Sequence, residues 1–460
     1  MRVRGLCLRL AVLLLAAGCG ARDGLNQVQS GGYNPPDNNV SVGAGWVVEA
    51  TNVMVRMTKG QDIRYVSPSS LTGCTNLLGD PHIDYDFTTG RWFFVVLGGP
   101  PGGTSDYWCM AVSTSSDPTS TWYQYQFKPG LAWFGSSWGN QQPFPDYPSV
   151  GITPDKIVLT GNLFHLFIGI AKVKNSGVMV INKSNLVNGQ PAAAQYFAPP
   201  KLAADGIPGP TFFLHACHQH FYGSTDGTTW LAGVNAYGEP AERLALYSIA
   251  GVPPWSAIYG PQFYDFPDGR KFRVPPRAKQ KGTDFRVETN DHRVLDVQCL
   301  GNRMVVAAHH GCTPPNDDLK RTCLRYLDFT YTGAGWALVR DTRYREKGRY
   351  FYYPSIALNV YGEVISTFNK SAASTSSAPE FVSVYASGMR SYYGNDVFAP
   401  PKLLKAGLSS WFLDRWGDYS GTALDPNLTS GSAHAYGAYP IAGGTWGTWY
   451  SPLPRQNFPQ

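Results

Sequence analysis

Residues 147–152 read YPSVGI, residues 353–358 read YPSIAL and residues 419–424 read YSGTAL. A phrase that returns with its small and apolar positions in register marks a repeated structural unit, and no other feature constrains this chain as tightly. Tyr419 follows Tyr353 by 66 residues, and Tyr353 follows Tyr147 by 206, about three such steps; one step back from Tyr147 lands on Pro81. A unit of that length holds four short strands and their turns.

The rest of the chain repeats that rhythm. Runs rich in Val, Ile, Tyr, Phe and Trp fill 40–66, 82–127, 148–198, 213–266, 293–341, 354–399 and 420–451, four runs to a cluster and three in the last. Gly (50) and Pro (35) are abundant and charged residues are only 15%, which fits short strands joined by many turns. No amphipathic helical pattern interrupts the series. The expected fold is all-β: a β-propeller of seven four-stranded blades, six or eight remaining open because the first cluster is compact. A single four-stranded sheet cannot bury both faces, so blades pack face to face and the ring closes. The last blade is completed by a strand from near the N-terminus. A pair of β-sandwiches is the competing architecture, and it leaves the recurrence unexplained.

The first residues belong to export. Arg2, Arg4 and Arg9 precede a short apolar run, Leu10–Leu15, too short for a permanent membrane span. LAAGC, ending at Cys19, matches a bacterial lipobox. The expected layout is a signal peptide over 1–18, a lipid on Cys19, a flexible tether over 19–38 and one propeller domain over 39–460. An ordinary secretory signal is the alternative, and it also exports the protein. Gly20 after the Cys, where inner-membrane retention favours Asp, points to the outer membrane or cell surface. Losing three Arg from a chain of formal net charge +6 leaves a nearly neutral protein with no basic stripe, which excludes a nucleic-acid footprint. A monomer is expected.

Six Cys remain in the body, an even number that predicts disulfides in an exported protein. Cys312 and Cys323 bracket a polar turn and pair most naturally; Cys74–Cys109 follows, leaving Cys217–Cys299, although six Cys allow fifteen connectivities.

STSSDPTSTW (113–122) places Ser115, Asp117, Thr121 and Trp122 at the spacing of the Asp-box, with Thr119 where that motif has Gly; STDGTTW (224–230) is the same phrase one residue shorter. The carboxylate is expected to fold over its own hairpin, as a structural device. With these, the phrases NNVSVGAGWVVEATN, DPHIDYDFTTGRWF, FPDYPSVGITPD, VPPRAKQKGT, RVLDVQCLGNRMVVAAHH, LRYLDF and DRWGDYSGTALDP, spread over about 38–426, resemble a group of exported bacterial propellers related in architecture to sialidases. The resemblance implies a sialidase-like propeller in lipoprotein form and no particular activity. The Arg triad of true sialidases has no place in this sequence.

Propeller geometry predicts where chemistry gathers. Innermost strands line an axial channel, and the loops leading into them ring one mouth, together with the loops joining second and third strands. The candidates for catalysis are Asp80, Asp146, His215, His309, Tyr353 and Asp418; those for ligand contact are His82, Tyr147, His310, Arg415 and Tyr419. Asp291, His292 and His165 fall in the same loops. Carboxylates, imidazoles and phenols in such a ring can bind a sugar, hold a cation or move protons. Each has a plainer role: Asp as a turn cap, Tyr as a blade-packing ring. In HACHQH (215–220) strand alternation puts His218 and His220 on one face and Cys217 with His215, a poor zinc set unless His309 joins it. PPNDDLK (314–320) is an acidic turn without an EF-hand ligand series, so a structural calcium there has no further support. No cofactor and no catalytic metal are expected, and no G-x-S-x-G, H-E-x-x-H or Walker loop occurs.

The leading functional expectation is an envelope-anchored binding or scaffold propeller with a glycan or peptide at the channel mouth. The alternative is a carbohydrate-active enzyme at the same mouth. It would be a glycoside hydrolase using paired Asp, or a polysaccharide lyase using a His/Tyr pair with Arg415 neutralising a uronate.

Overall fold

The computed structural model describes residues 20–99, 107–128, 144–167, 170–197, 211–219, 227–236, 240–267, 269–389 and 398–455, without the side chains of 165–174. The signal segment, Cys19, the His165 side chain, His220 and residues 224–226 of STDGTTW lie outside these residues.

Seven four-stranded antiparallel sheets are present. Blades 1 to 6 run in chain order. Their innermost strands are Asn39–Gly43, Leu77–Asp86, Phe144–Ile152, Phe212–Ala216, Val294–Leu300 and Arg349–Leu358. Blade 7 takes Gly421–Leu424, Ala433–Pro440 and Trp446–Leu453 from the C-terminus and Arg22–Asn26 from the N-terminus as its outermost strand. The innermost strands touch one another in cyclic order, blade 7 against blade 1 included. The seven-bladed propeller expected from the recurring phrase is therefore the fold. A two-stranded ribbon, Ala278–Gln280 with Thr283–Val287, lies outside the blades.

The N-terminal stretch differs from a tether. Arg22 pairs with Tyr450 and Asn26 with Gly447 in the ladder, and Asp37 and Asn38 are buried. The cause is electrostatic as well as hydrogen-bonded. Glu49 is fully buried in blade 1, and Arg22 meets it at 2.7 Å.

Apolar residues cluster between neighbouring blades. Val48, Ile83 and Trp92 pack between blades 1 and 2, and Phe93, Trp108 and Leu159 between blades 2 and 3. Approach is close: a Cβ on Gly43 would stand 2.1 Å from the Tyr85 ring, so only glycine lets these two sheets meet. Each innermost strand is an edge whose free N–H groups need partners. The preceding blade supplies them through side chains. Asn39 and Ser41 accept from Ile83 N and Tyr85 N (3.1 and 2.9 Å), and Asp296 accepts from Ile356 N at 2.8 Å.

The three disulfides pair as expected, Cys74–Cys109, Cys217–Cys299 and Cys312–Cys323. The second joins blade 4 to blade 5.

Candidate functional site

The recurring phrase is a β-bulge. Tyr147 and Tyr353 have φ of 55° and 53°, and the register slips between Asp146 and Ser149 and between Tyr352 and Ser355. The third true copy is Asp80-Pro81-His82, with Asp80 at φ 56° and a slip between Gly79 and His82. Phe213 repeats the device in blade 4 at φ 51°. In the blade 7 phrase the turn is made earlier, by Gly417 at φ 130°, so Tyr419 lies beyond it. A bulge bends its strand and re-aims side chains. Here it turns residues from separate blades toward one axis.

Four rings meet at the head of the channel. Tyr147 of blade 3 stacks on Tyr419 of blade 7 with centroids 5.1 Å apart. His82 of blade 2 meets the Tyr419 edge at 5.2 Å, and His215 of blade 4 meets Tyr147 at 5.6 Å. Arg293 of blade 5 lies 4.4 Å over Tyr147. Among the described residues, Tyr147 Oη, Tyr419 Oη, His82 Nε2 and His215 Nε2 are buried atoms with no hydrogen-bond partner. Buried polar atoms are rarely left so, and four in mutual ring contact mark a place built for something else.

Around them stands a ring of charge. Asp418 Oδ2 accepts from Arg415 at 2.9 Å and lies 3.8 Å from Arg293, while Asn290 donates to its other oxygen. Arg293 also binds Asp291 at 2.9 Å. Asp37 Oδ1 accepts from Asp418 N at 2.7 Å. Asn52 bridges two acids, donating to Asp37 Oδ2 and accepting from Asp80 N, both at 2.7 Å. Arg415 faces solvent on the rim, with Glu288 at 3.8 Å.

Burial shapes the protonation states. Burial, reinforced by the Asp418 charge, pushes Asp37 up to about 7. Asp80 is raised well above the carboxylate range by burial and then Asp37, and Asp146 is raised by burial and then Asp418. Asp291 goes the other way: burial raises it, but the charge and hydrogen bond of Arg293, with His292 and His309, together hold it below its ordinary value. Burial lowers His82 to about 4 and His215 to about 3, so both are neutral at pH 7. His82 donates to the Pro148 carbonyl, which leaves Nε2 as a free lone pair. Burial raises the phenols of Tyr147, Tyr353 and Tyr419, which stay protonated.

Of the sequence candidates, Asp80, Asp146, Asp418, His82, His215, Tyr147, Tyr419 and Arg415 converge here. Tyr353 sits alongside, its hydroxyl on the Glu288 carbonyl at 3.3 Å. His309 is held by backbone on both sides: Nε2 meets the Asp291 carbonyl and Nδ1 accepts from Tyr353 N, each at 2.9 Å. His310 points the opposite way, against Phe272. Alternation does not carry through HACHQH, because the strand ends at Ala216. Cys217 turns to its disulfide, and His215 and His218 both line the channel. The 314–320 turn is no calcium site: Asp317 is taken by Arg321 at 2.9 Å and by Gly348 N at 2.8 Å, and lies near 2. Sequence reasoning missed Asp37, Asn52 and Arg293. The charged run ETNDHR just ahead of blade 5 was the available signal for Arg293; Asp37 and Asn52 had none.

Below the mouth the channel is narrow, about 80 Å³, and polar. Asp84 and Asp296 line it, both raised by burial. The Asp-box-like turn lies on the opposite face, with Asp117 accepting from Thr119 N at 2.8 Å.

The fold and site define a seven-bladed β-propeller with a titratable mouth. No family model matches the chain, and no curated protein matches it. Similar solved structures include a polysaccharide lyase, an ulvan lyase bound to a GlcA-Rha3S oligosaccharide (12% identity, TM-score 0.41, covering 83% of each chain). Another is the Cellvibrio cellulosa α-L-arabinanase complexed with arabinohexaose (10%, 0.35, 80% of this chain and 94% of that one). A third is the Trypanosoma rangeli sialidase in complex with the inhibitor DANA (9%, 0.37, 80% and 54%).

Proposed function

We propose that the protein is a carbohydrate-active enzyme that cleaves an anionic, uronate-bearing polysaccharide at the channel mouth by β-elimination. The observation that carries this reading is the contact between neutral imidazoles and protonated phenols whose Nε2 and Oη atoms have no partner among the described residues. His82 Nε2 takes the proton from the carbon bearing the sugar carboxylate. The bond from the neighbouring carbon to the glycosidic oxygen breaks, and a carbon–carbon double bond forms. Tyr419 Oη gives its proton to the leaving oxygen and recovers one from His82. Arg415, exposed on the rim, pairs with the uronate carboxylate and stabilises the charge that develops there. The cavity below, of about 80 Å³, is too small to hold a sugar chain, which lies across the mouth instead. A lipid on Cys19, at the outer membrane or cell surface, would hold this mouth where extracellular polysaccharide is met.

A second reading is glycoside hydrolysis, favoured by carboxyls held in unlike environments: Asp80 and Asp146 are pushed up beside an Asp418 flanked by Arg415 and Arg293. Incubating residues 20–460 with uronate-bearing and neutral polysaccharides separates the possibilities. The ultraviolet absorbance of an unsaturated product supports elimination. New reducing ends without that absorbance replace it by hydrolysis. Retention of polysaccharide without cleavage makes the mouth a binding module.

A further inference from the structure

The mouth carries more carboxylate than its guanidinium groups balance. Arg293 binds Asp291 at 2.9 Å and reaches Asp418 at 3.8 Å, so two guanidinium groups, Arg293 and Arg415, stand against Asp37, Asp80, Asp146, Asp291 and Asp418. Asp37, Asp80 and Asp418 each bring an oxygen within 4.8 Å of the other two. They come from distant places: the segment ahead of blade 1, the innermost strand of blade 2 and the segment ahead of blade 7. Carboxylates this close repel unless something positive lies between them.

A separate observation points to what that is. Tyr419 is only 8% exposed, its hydroxyl has no partner among the described residues, and it directly follows Asp418 while its ring meets His82, two residues beyond Asp80, at 5.2 Å. Asn34 Oδ1, three residues before Asp37, is likewise buried and unpartnered, while its amide nitrogen holds the Arg415 carbonyl at 3.4 Å. Both of these leftover atoms are oxygens, while the unpartnered His82 Nε2 lies on the far side of the contact with the Tyr419 ring.

We infer that Asp37, Asp80 and Asp418 bind one calcium ion, with Asn34 Oδ1 and Tyr419 Oη facing the ion or its water. An all-oxygen, carboxylate-rich set drawn from irregular backbone suits a hard cation tolerant of geometry, which calcium is and magnesium is not. It offers none of the nitrogen or sulfur that zinc favours. The ion ties down the segment that crosses from the outermost strand of blade 7 to blade 1, and so closes the ring from the mouth side. Calcium binding goes beyond the proposed reaction and does not depend on it.

The test is calorimetric titration of residues 20–460 with CaCl2 after chelator treatment, together with terbium luminescence excited through tyrosine. One site is expected, with a dissociation constant of about 10⁻⁴ M or tighter, and the melting temperature rises with calcium. Asp37→Asn still accepts from Asp418 N, and is expected to weaken binding at least about tenfold. Asp265→Asn, at an exposed acid elsewhere, is expected to bind as wild type does. Absence of saturable calcium binding and of terbium emission in the wild-type chain overturns the site. Equal affinity in Asp37→Asn, or in Asp80→Asn should the first variant not fold, also overturns it. A chain that binds calcium and cleaves no polysaccharide upholds the ion and removes the reaction; the converse removes the ion alone.

Discussion

His292 offers a clean view of how burial sets the acid limit of this fold. Its side chain is fully buried beside Phe272, and neither ring nitrogen has a partner among the described residues. Burial lowers it from 6.5 to about 4, with Asp291 opposing and Arg293 assisting. The folded state therefore binds this proton less readily than the unfolded chain does. The stabilisation from the neutral ring is complete above about pH 6.5 and is lost as pH falls toward about 4. For one group, the linkage relation gives a loss of about 2 kcal/mol between pH 7 and pH 5, and about 3 kcal/mol by pH 4. Asp80, Asp84, Asp146 and Asp296, all raised, act in the opposite sense and gain stability as pH falls. They are common to wild type and a His292→Phe variant, so they cancel in the difference. Urea midpoints of both proteins across pH 4–7 are expected to converge toward acid, the variant losing about 2 kcal/mol less by pH 5. Parallel curves would refute the reasoning, whatever the variant's baseline stability.

Other consequences follow from the ring itself. The double variant Cys217→Ser/Cys299→Ser opens a link spanning 82 residues and is expected to cost about 4–5 kcal/mol, against about 3 kcal/mol for Cys312→Ser/Cys323→Ser, which spans 11; denaturant unfolding ranks them. Arg22→Ala leaves the buried Glu49 with Arg56 alone, 3.7 Å away, and is expected to cost about 2–3 kcal/mol and to loosen blade 7, seen as faster amide exchange in Arg22–Asn26. Gly43→Ala drives a methyl into the Tyr85 ring and is expected to cost about 1–3 kcal/mol in a thermal melt.

Sequence reading reached the blades because face-to-face packing requires the same small and apolar residues at the same place in each repeat, as in YPSVGI and YPSIAL. It reached Tyr147 and Tyr419 through the recurring phrase and Asp80 through its place at the entry to an innermost strand; the positive φ that makes Asp80-Pro81 and Tyr147-Pro148 bulges is seen only in the structure. It stopped where position depends on partners remote in the chain. Asp37 lies in a stretch with the composition of a linker, and only its contacts with Asn52 and Asp418 N show that it belongs to the mouth. His309 had the right place for catalysis; that both of its nitrogens are engaged by Asp291 and Tyr353 is a fact of the neighbouring blade, invisible in the HH dipeptide. HACHQH misled for a local reason, since the strand ends inside it.

The claim that groups from separate blades act as one catalytic unit is tested most directly by a double-mutant cycle between His82 of blade 2 and Tyr419 of blade 7. It is read as kcat on a polysaccharide the wild type cleaves, with melting temperatures matched. Each of His82→Gln and Tyr419→Phe is expected to lower kcat by about 10²-fold or more, and the pair together by no more than the worse single variant. Losses that multiply, or single variants that turn over like wild type, would contradict the account.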